Sequence, residues 1–282
     1  MPYHIGLIVT GADALKDFQV FVKTLETWNP DASLYVYTDS KTPVHSIKFK
    51  GTMRVLVGLD TYAGKTRQEM EAINGTTYKT MWTDFMYEKV NVLKWMFDTN
   101  DLSSTGAWFM DADITFLAPL PVIPETATVA LSPHYIRTMD EAKFGRYNGG
   151  FMWFKGNDML AIWEKAGHTA RFYEQSALEE VAKVATHLYE FPIQVNFGWW
   201  RMFQSSVAPP DVQAKFSLFR AEKSVGIRYD GAPIQSIHTH WYQNDRSATS
   251  VFNNWIRAFA DRYKIHKPMA TLNHHIALKD SR

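Results

Sequence analysis

The chain begins with a strand–helix–strand pattern, and this pattern restricts the fold more than any other feature. The apolar run 5–9 predicts a short strand that ends at Thr10. Apolar residues then recur at helical spacing from Leu15 to Leu25, and residues 34–37 predict a second strand. Two strands joined by a crossover helix are typical of a parallel sheet. The sequence therefore predicts an α/β protein that binds ligands at the carboxyl ends of its strands.

A third apolar run ends in two carboxylates separated by one small residue. The segment Ala107–Met110 predicts a central strand because it is apolar on both faces, and Asp111, Ala112 and Asp113 follow it. In an extended chain, side chains at positions i and i+2 point to the same side. Two carboxylates at a strand end suit Mg²⁺ or Mn²⁺ carrying a diphosphate. The same spacing also occurs in turns and helix caps, so the motif by itself leaves both interpretations open.

Polar residues elsewhere extend the predicted ligand-binding edge. Thr10, Thr38 and Asp39 follow the first two strands and are candidate nucleotide contacts, although Asp39 fits a turn equally well. Lys89 lies beside the apolar stripe of a later helix and is interpreted as either a solvated charge or a phosphate contact. Residues 58–82 lack clear periodicity and are predicted to form a long loop.

The second half of the chain is predicted to add two strands and two helices. The strands are expected at 129–131 and 150–154, and the helices at about 157–167 and 174–186. Before the second of these strands, two consecutive glycines permit close approach of the backbone to a ligand, but they also suit a plain turn.

An amphipathic helix is predicted near the C-terminus. Its apolar face consists of Phe252, Trp255, Ile256, Phe259 and Tyr263, and its basic flank of Arg257, Arg262, Lys264 and Lys267. Packing of this face on the rest of the chain is the favoured interpretation. A basic helix of this kind also suits an anionic membrane surface, so peripheral membrane contact is a second expectation.

Composition excludes several classes of function. The chain has no cysteine, which rules out disulfides, zinc–thiolate sites and thiol catalysis. Its 30 basic and 29 acidic residues give no sign of a nucleic-acid-binding protein. No apolar run approaches the ~18 residues of a membrane span, and the first residues do not resemble a signal peptide. A cytoplasmic protein is therefore expected.

Four segments resemble GT-A fold glycosyltransferases of the glycogenin-like and lipopolysaccharide-galactosyltransferase families. Residues 108–113 resemble the strand that ends in the metal-binding pair of those families, and residues 147–152 their Asn-Ala/Ser-Gly segment. Residues 174–178 resemble their Asp-Gln-Asp motif, with a glutamate first and Ser176 in place of the second acid. Residues 237–241 resemble the strand that supplies a metal-binding histidine. The usual His-x-x-Gly-x-x-Lys-Pro-Trp ending is absent.

This resemblance implies a GT-A type fold, with a Rossmann-like, mostly parallel sheet flanked by helices, in one catalytic domain. Residues 1–113 would form the nucleotide-binding half, residues 114–250 the donor-sugar and acceptor half, and residues 251–282 a C-terminal helix and tail. The implied activity is metal-dependent transfer of a sugar, with retention, from a nucleotide diphosphate donor such as a UDP-sugar. The acceptor would be a glycan, free or linked to lipid or protein.

The resemblance also implies roles for individual residues. Asp111, Asp113 and a histidine would hold Mn²⁺ or Mg²⁺, and of His238 and His240 the latter is favoured because an aromatic residue follows it. Gln175 would lie under the sugar, and Glu174 would hold its hydroxyls or act as a nucleophile or base; an exposed helix start is the structural alternative for both. The candidate donor-binding residues are Thr10, Thr38, Asp39, Lys89, Asp111, Ala112, Asn148, Gly149 and Gly150. The candidate acceptor platforms are Trp199, Trp200 and Trp241.

Two other kinds of function fit the sequence. The first is another enzyme on a similar fold, either an inverting glycosyltransferase or a nucleotidyltransferase. A nucleotidyltransferase would usually carry a Gly-rich, basic loop after the first strand, and residues 10–13 are not of that type. The second is a protein that binds glycans through its tryptophans without catalysis; the paired carboxylates and the histidines count against it.

Overall fold

A computed structural model describes residues 3–221, 224–242, 247–263 and 276. The strands in this part of the chain are β1 His4–Val9, β2 Ser33–Thr38, β3 Thr52–Val57, β4 Ala107–Met110, β5 Ile114–Phe116, β6 Val129–Pro133, β7 Tyr147–Phe154, β8 Leu188–Glu190, β9 Phe197–Gly198, β10 Phe216–Ala221, β11 Ser224–Tyr229, β12 Ala232–Pro233 and β13 Ser236–His238. The helices are α1 Gly11–Trp28, α2 Arg67–Ala72, α3 Met81–Thr99, α4 Thr138–Phe144, α5 Asp158–Gly167, α6 Leu178–Val184, α7 Trp200–Phe203, α8 Pro209–Ala214 and α9 Ala248–Arg262.

The central sheet has seven strands in the order β3-β2-β1-β4-β7-β6-β8. Strands β3, β2, β1 and β4 run parallel, whereas β7 is antiparallel to both of its neighbours and β8 runs parallel to β6. The predicted α/β class, the mostly parallel sheet and the central position of β4 are confirmed. Because β1 and β4 are adjacent and parallel, the residues that follow them meet at one edge of the sheet.

Two small sheets lie beside the central sheet. In one of them β13 pairs antiparallel with β5 and parallel with β9, and His238 lies opposite Ile114. In the other, β11 pairs antiparallel with β10 and β12. Since β5 begins one residue after Asp113, the first small sheet brings the C-terminal part of the chain to the end of β4.

Apolar side chains cover both faces of the central sheet. On one face, α1 contributes Phe18 and Phe21 to a cluster that includes Trp108. On the other face, α3 contributes Leu93 to a cluster that includes Phe109. Full burial of such a side chain stabilises the fold by about 1.5–3 kcal/mol. Two-sided burial accounts for the apolar composition of β4.

Three segments differ from the sequence predictions. Residues 58–82 include the helix α2, which a capping box between Thr66 and Glu69 stabilises without any long apolar period. The helix expected from residue 174 begins at Leu178, and Glu174 lies in the preceding turn with its side chain buried. The two glycines expected to form a turn or a ligand contact lie within β7, every residue of which is buried.

The amphipathic helix α9 packs on the protein. Phe252 and Ile256 are fully buried beside Trp241, and Trp255 and Phe259 pack against the same cluster. This confirms the favoured interpretation, and among the described residues of this helix no feature supports a membrane contact. Lys264 and Lys267 lie outside the described residues. Of the helices described, none has the length and hydropathy required to cross a bilayer.

Candidate functional site

A cavity of about 680 Å³ opens at the carboxyl edge of the central sheet, where β1 and β4 end. Many residues proposed from the sequence line it: Thr10, Lys89, Asp111, Ala112, Asp113, Trp199, Trp200, His238 and His240. Ligand sites commonly have volumes of roughly 300–1,000 Å³, so the cavity suits a nucleotide-sized molecule.

Asp111, Asp113 and His238 converge in this cavity. His238 Nε2 lies 3.1 Å from Asp113 Oδ1 and 3.8 Å from Asp111 Oδ2. One ligand atom from each of the three side chains lies within 4.8 Å of the other two. Two carboxylates and an imidazole form a donor set that divalent cations such as Mn²⁺ accept. The residues present therefore fit a metal ion.

The structure brings His238, rather than the favoured His240, to both carboxylates. Strand β13 ends at His238, so the alternation that would place both imidazoles on one face stops there. His240 Nδ1 lies 3.5 Å from Asp113 Oδ2 but bonds to Asp17 Oδ2 at 3.0 Å. His240 therefore lies at the side of the carboxylate pair.

Asp17 is a site residue that the sequence did not reveal. It projects from α1, is 3% exposed, lines the cavity and accepts a hydrogen bond from the Trp241 backbone N–H at 3.1 Å. Burial raises the pKa of Asp17 to about 6. The Asp113 carboxylate raises the pKa of His240 to about 10. Asp17 adds to this effect, and burial opposes it. In the sequence, an acid beside the apolar stripe of a helix resembles a solvent-facing charge, so nothing there distinguishes Asp17 from a surface residue.

Asp113 is held as a carboxylate by its neighbours. Burial alone would raise its pKa, but the imidazoles of His238 and His240 outweigh this effect and hold the pKa below its usual range. The site thus keeps a deprotonated oxygen ligand at neutral pH, as metal coordination requires.

Lys89 is buried and paired, so its interpretation as a solvated charge is wrong. Its side chain is buried, and Nζ lies 2.9 Å from Glu174 Oε1, 2.9 Å from Gly149 O and 3.3 Å from Asp111 Oδ1. Burial alone would lower the pKa of Lys89, but Asp111 and Glu174 together raise it. The ammonium group thereby joins the end of β4 to the segment that contains Glu174.

Positions 149 and 150 must be glycine because neighbouring side chains leave no room for a Cβ atom. A Cβ atom on Gly150 would lie 2.2 Å from Asp111 Oδ2 and 2.6 Å from His238 Cε1. A Cβ atom on Gly149 would lie 2.6 Å from Glu174 Oε1. The close approach expected of these glycines is thus an approach to the protein's own site residues.

Glu174 and Gln175 lie in the turn before α6 and differ in their surroundings. Glu174 is 2% exposed, and burial raises its pKa, although Lys89 opposes this effect. The interpretation of Glu174 as an exposed helix start is therefore wrong. Gln175 is half-buried, and its Nε2 donates to Phe144 O at 2.9 Å. Neither residue is part of the cavity lining around the carboxylates.

Thr38 and Asp39 are engaged in hydrogen bonds within the protein. Thr38 Oγ1 donates to Val9 O at 2.7 Å, and Asp39 Oδ2 accepts from Thr42 Oγ1 at 2.7 Å. Thr42 Oγ1 in turn accepts from Gly11 N, at the mouth of the cavity. The geometry favours the interpretation of Asp39 as a turn residue over its interpretation as a nucleotide contact. Through Thr42, Asp39 supports the loop that follows β1.

The three tryptophans proposed as acceptor platforms are placed differently. Trp241 is fully buried, and its Nε1 donates to Thr115 Oγ1 at 2.6 Å, so it does not offer a free ring face. Trp200 lines the cavity with its ring centroid 5.1 Å from that of His238. Trp199 lines the same cavity and is half-buried.

The segment predicted as a long loop supplies much of the remaining cavity wall. Its lining residues, with those at the start of α3, are Tyr62, Gly64, Lys65, Arg67, Met70, Trp82, Phe85 and Met86. Arg67 donates to Tyr173 Oη at 3.0 Å and lies over the Tyr173 ring, so the segment is attached beside Glu174. Nothing in the sequence of residues 58–82 indicates that this segment lines the cavity.

Known proteins share this architecture without recognisable sequence similarity. No protein-family model matches the sequence, and no curated protein matches it significantly. The solved galactosyltransferase LgtC, in complex with donor and acceptor sugar analogues, is 11% identical and superposes with a TM-score of 0.53 over 89% of this chain and 94% of that chain. The glycosyltransferase GlyE of Streptococcus pneumoniae TIGR4 is 12% identical, with a TM-score of 0.53 over 97% of this chain and 63% of that chain.

A third match extends the same result. The WbbM bifunctional glycosyltransferase is 8% identical, with a TM-score of 0.52 over 98% of this chain and 51% of that chain, so this chain spans about half of it. At identities this low, structural likeness establishes the fold. The chain has a GT-A-like glycosyltransferase fold.

Proposed function

We propose that the chain is a metal-dependent glycosyltransferase that moves a sugar, with retention, from a nucleotide diphosphate donor to a glycan or glycoconjugate acceptor. A UDP-sugar is the proposed donor. One observation carries the proposal: Asp111, Asp113 and His238 converge in a nucleotide-sized cavity at the carboxyl edge of a glycosyltransferase-like sheet.

The same three side chains would hold the metal, with Mn²⁺ as the proposed ion and Mg²⁺ as the alternative. When bound, the ion would stabilise the negative charge that develops on the leaving diphosphate. The protein contributes a low-dielectric setting, because Asp113 and His238 are almost fully buried. Charges in such a setting interact more strongly than in water.

Gln175 is the proposed catalytic contact to a reacting sugar that would extend beyond the cavity lining described above, and Glu174 is proposed to support it. The Glu174 carboxylate is buried and paired with Lys89, which leaves it poorly placed to act as a nucleophile or base. Gln175 follows it directly, and its bond to Phe144 O fixes the direction of the amide group. An amide held in this way can stabilise positive charge on the sugar without consuming a proton.

The aromatic part of the cavity wall is proposed to receive the acceptor. Trp82, Phe85 and Trp199 are among the residues that line the cavity. Flat aromatic rings present apolar surface to the C–H faces of sugars, and their burial on binding favours association. Thr10 and Gly11, at the end of β1, are proposed to lie near the nucleotide.

Hydrolysis of a panel of nucleotide sugars tests the proposal. Wild-type protein is incubated with each donor in the presence of Mn²⁺ and in EDTA, and nucleotide release is measured. We expect slow, Mn²⁺-dependent release from one donor and loss of at least about a hundredfold in Asp113→Asn, since a metal ligand is removed. Asp98→Asn, an exposed position on α3, is the matched control and should retain wild-type release.

Two results would change this proposal. Wild-type turnover of a donor that persists in EDTA would contradict metal dependence. Binding of glycans by calorimetry, without hydrolysis or binding of any donor, would instead support a non-catalytic glycan-binding protein. With the donor known, the anomeric configuration of the product, determined by NMR, distinguishes retention from inversion.

A further inference from the structure

We propose that Asn196 is the positioning residue for the histidine at the metal site, and that it fixes which imidazole nitrogen of His238 is free to bind the ion. The inference rests on the metal binding proposed above. Asn196 is fully buried, directly precedes β9 and does not line the cavity.

The hydrogen bond to His238 defines the orientation of the imidazole. Asn196 Oδ1 lies 3.1 Å from His238 Nδ1. An amide oxygen only accepts hydrogen bonds, so this contact requires a proton on Nδ1; in the neutral tautomer that carries its single proton there, Nε2 is the nitrogen whose lone pair is available to an ion. Nε2 is the nitrogen that faces Asp113 Oδ1 at 3.1 Å. Partners of this kind behind a ligating histidine fix its tautomer and its ring orientation.

The orientation of the Asn196 amide is itself determined by two acceptors. Asn196 Nδ2 donates to Asn148 Oδ1 at 3.1 Å and to Ser132 Oγ at 3.1 Å. If the amide were flipped, its oxygen would face Asn148 Oδ1, so the assignment of oxygen and nitrogen follows from the network. Asn148 thus supports His238 from behind, in addition to its expected place near the donor sugar.

The same network reaches the other side of the metal site. Asn148 Oδ1 also accepts from Gly150 N at 3.1 Å, and Gly150 O accepts from Asp111 N at 2.9 Å. The backbone that carries Asp111 and the imidazole of His238 are therefore connected through Asn148 and Asn196. Removal of the central amide should loosen the relative placement of two ligands.

Arg201 fixes the backbone of Asn196. Its buried guanidinium donates to Asn196 O at 3.1 Å, to His134 O at 2.7 Å and to Pro133 O at 2.9 Å. These bonds tie the segment before β9 to the end of β6, where Ser132 is located. Both the main chain and the side chain of Asn196 are thus held in place.

A Mn²⁺ titration of the metal-free protein, followed by the electron paramagnetic resonance signal of free Mn²⁺, tests the inference. Asn196→Leu keeps a similar volume but removes the acceptor for Nδ1–H, and we expect its Kd for Mn²⁺ to rise about 10- to 100-fold. Asn196→Asp keeps an acceptor for Nδ1–H but loses the donor to Asn148 Oδ1, so we expect its Kd to lie between those of the wild type and Asn196→Leu. Asn29→Leu is the control: it replaces another buried asparagine, located after the far end of α1, and should not change the Kd.

The outcomes separate this inference from the proposed function. Absence of Mn²⁺ binding by the wild type would contradict both. Wild-type affinity in a folded Asn196→Leu protein, or weaker binding by Asn196→Asp than by Asn196→Leu, would overturn the role of Asn196 alone. Should Asn196→Leu fail to fold, Ser132→Ala removes one acceptor of the amide in its place; a raised Kd supports the inference and an unchanged Kd overturns it.

Discussion

Lys89 is the residue whose charge most directly organises the site. Its ammonium group lies between the carboxylates of Asp111 and Glu174 and bonds to the carbonyl of Gly149. Desolvation of a charge is unfavourable unless partners replace the lost water, and three oxygen atoms do so here. Without this cation, Glu174 would be an uncompensated negative charge inside the protein.

Replacement of Lys89 by methionine should destabilise the protein by roughly 3–5 kcal/mol, because it breaks a buried ion pair from one side only. Urea unfolding of metal-free protein measures the change in the free energy of unfolding. Lys94→Met is the control. Lys94 lies on the same helix as Lys89, is half-exposed and pairs with Glu164 of α5, and its replacement should change that free energy by about 0–1 kcal/mol.

The double variant Lys89→Met/Glu174→Gln separates charge from packing. It no longer leaves the buried Glu174 carboxylate without its cation, so it should be more stable than Lys89→Met alone. Equal stability of the two variants would show that the lost packing of the lysine side chain, rather than charge, dominates.

Gly150 is predicted to be intolerant of any side chain. A methyl group there would lie 2.2 Å from Asp111 Oδ2, so Asp111, His238 or β7 must move. We expect Gly150→Ala to weaken Mn²⁺ binding at least about tenfold, comparable to other changes behind a metal ligand. The matched variant Gly156→Ala adds a methyl group in open space and should bind Mn²⁺ as the wild type does. Equal affinities in the two variants would contradict the placement of the metal beside Gly150.

At the scale of secondary structure elements, the three-stranded sheet of β5, β13 and β9 assembles the site. It joins the chain directly after Asp113 to the strand that carries His238 and to the strand that follows Asn196. These segments are distant in sequence, and only strand pairing brings them together. The helix α9 packs beside this sheet through Phe252, which contacts Phe197 of β9.

The docking of α9 predicts a large effect of Phe252→Ala on stability. Removal of a fully buried phenylalanine creates a cavity and typically destabilises a protein by about 3–5 kcal/mol. The neighbouring Val251 is 49% exposed, and Val251→Ala should change the free energy of unfolding by no more than about 0.5 kcal/mol. If α9 served as a membrane contact instead, Phe252→Ala would leave the stability of the protein in solution nearly unchanged.

At the scale of the whole molecule, metal binding should stabilise the fold. The proposed ligands are Asp111 and Asp113, which follow β4, and His238 at the end of β13; because these segments are remote in sequence, the ion should bind the folded chain and not the unfolded one. At a free Mn²⁺ concentration of 100 times the Kd, the free energy of unfolding should rise by about 2.7 kcal/mol. Thermal unfolding with and without Mn²⁺ measures this effect. Asp98→Asn should show the full shift and Asp113→Asn almost none; a shift retained in Asp113→Asn would place the ion elsewhere.

Several features of the fold follow from the sequence alone because they depend on local patterns. The spacing of apolar residues distinguishes the strand before Thr10 from the helix after it. The segment Ala107–Met110 is apolar on both faces, which indicates a central strand. The convergence of Asp111 and Asp113 on one site was also expected, but residues 112 and 113 form a turn and not the extended chain on which that expectation was based. These features need only neighbouring residues and general rules of chain geometry.

The tertiary structure alone determined the remaining features, because they depend on which distant segments pack together. His238, and not His240, lies near both carboxylates because β13 ends at His238. The burial of Lys89 depends on Glu174, 85 positions away, and the role of Asn196 depends on a histidine 42 positions away. A single sequence specifies the periodicity of each element, but long-range strand pairing and burial decide which polar groups meet, and those meetings define the site.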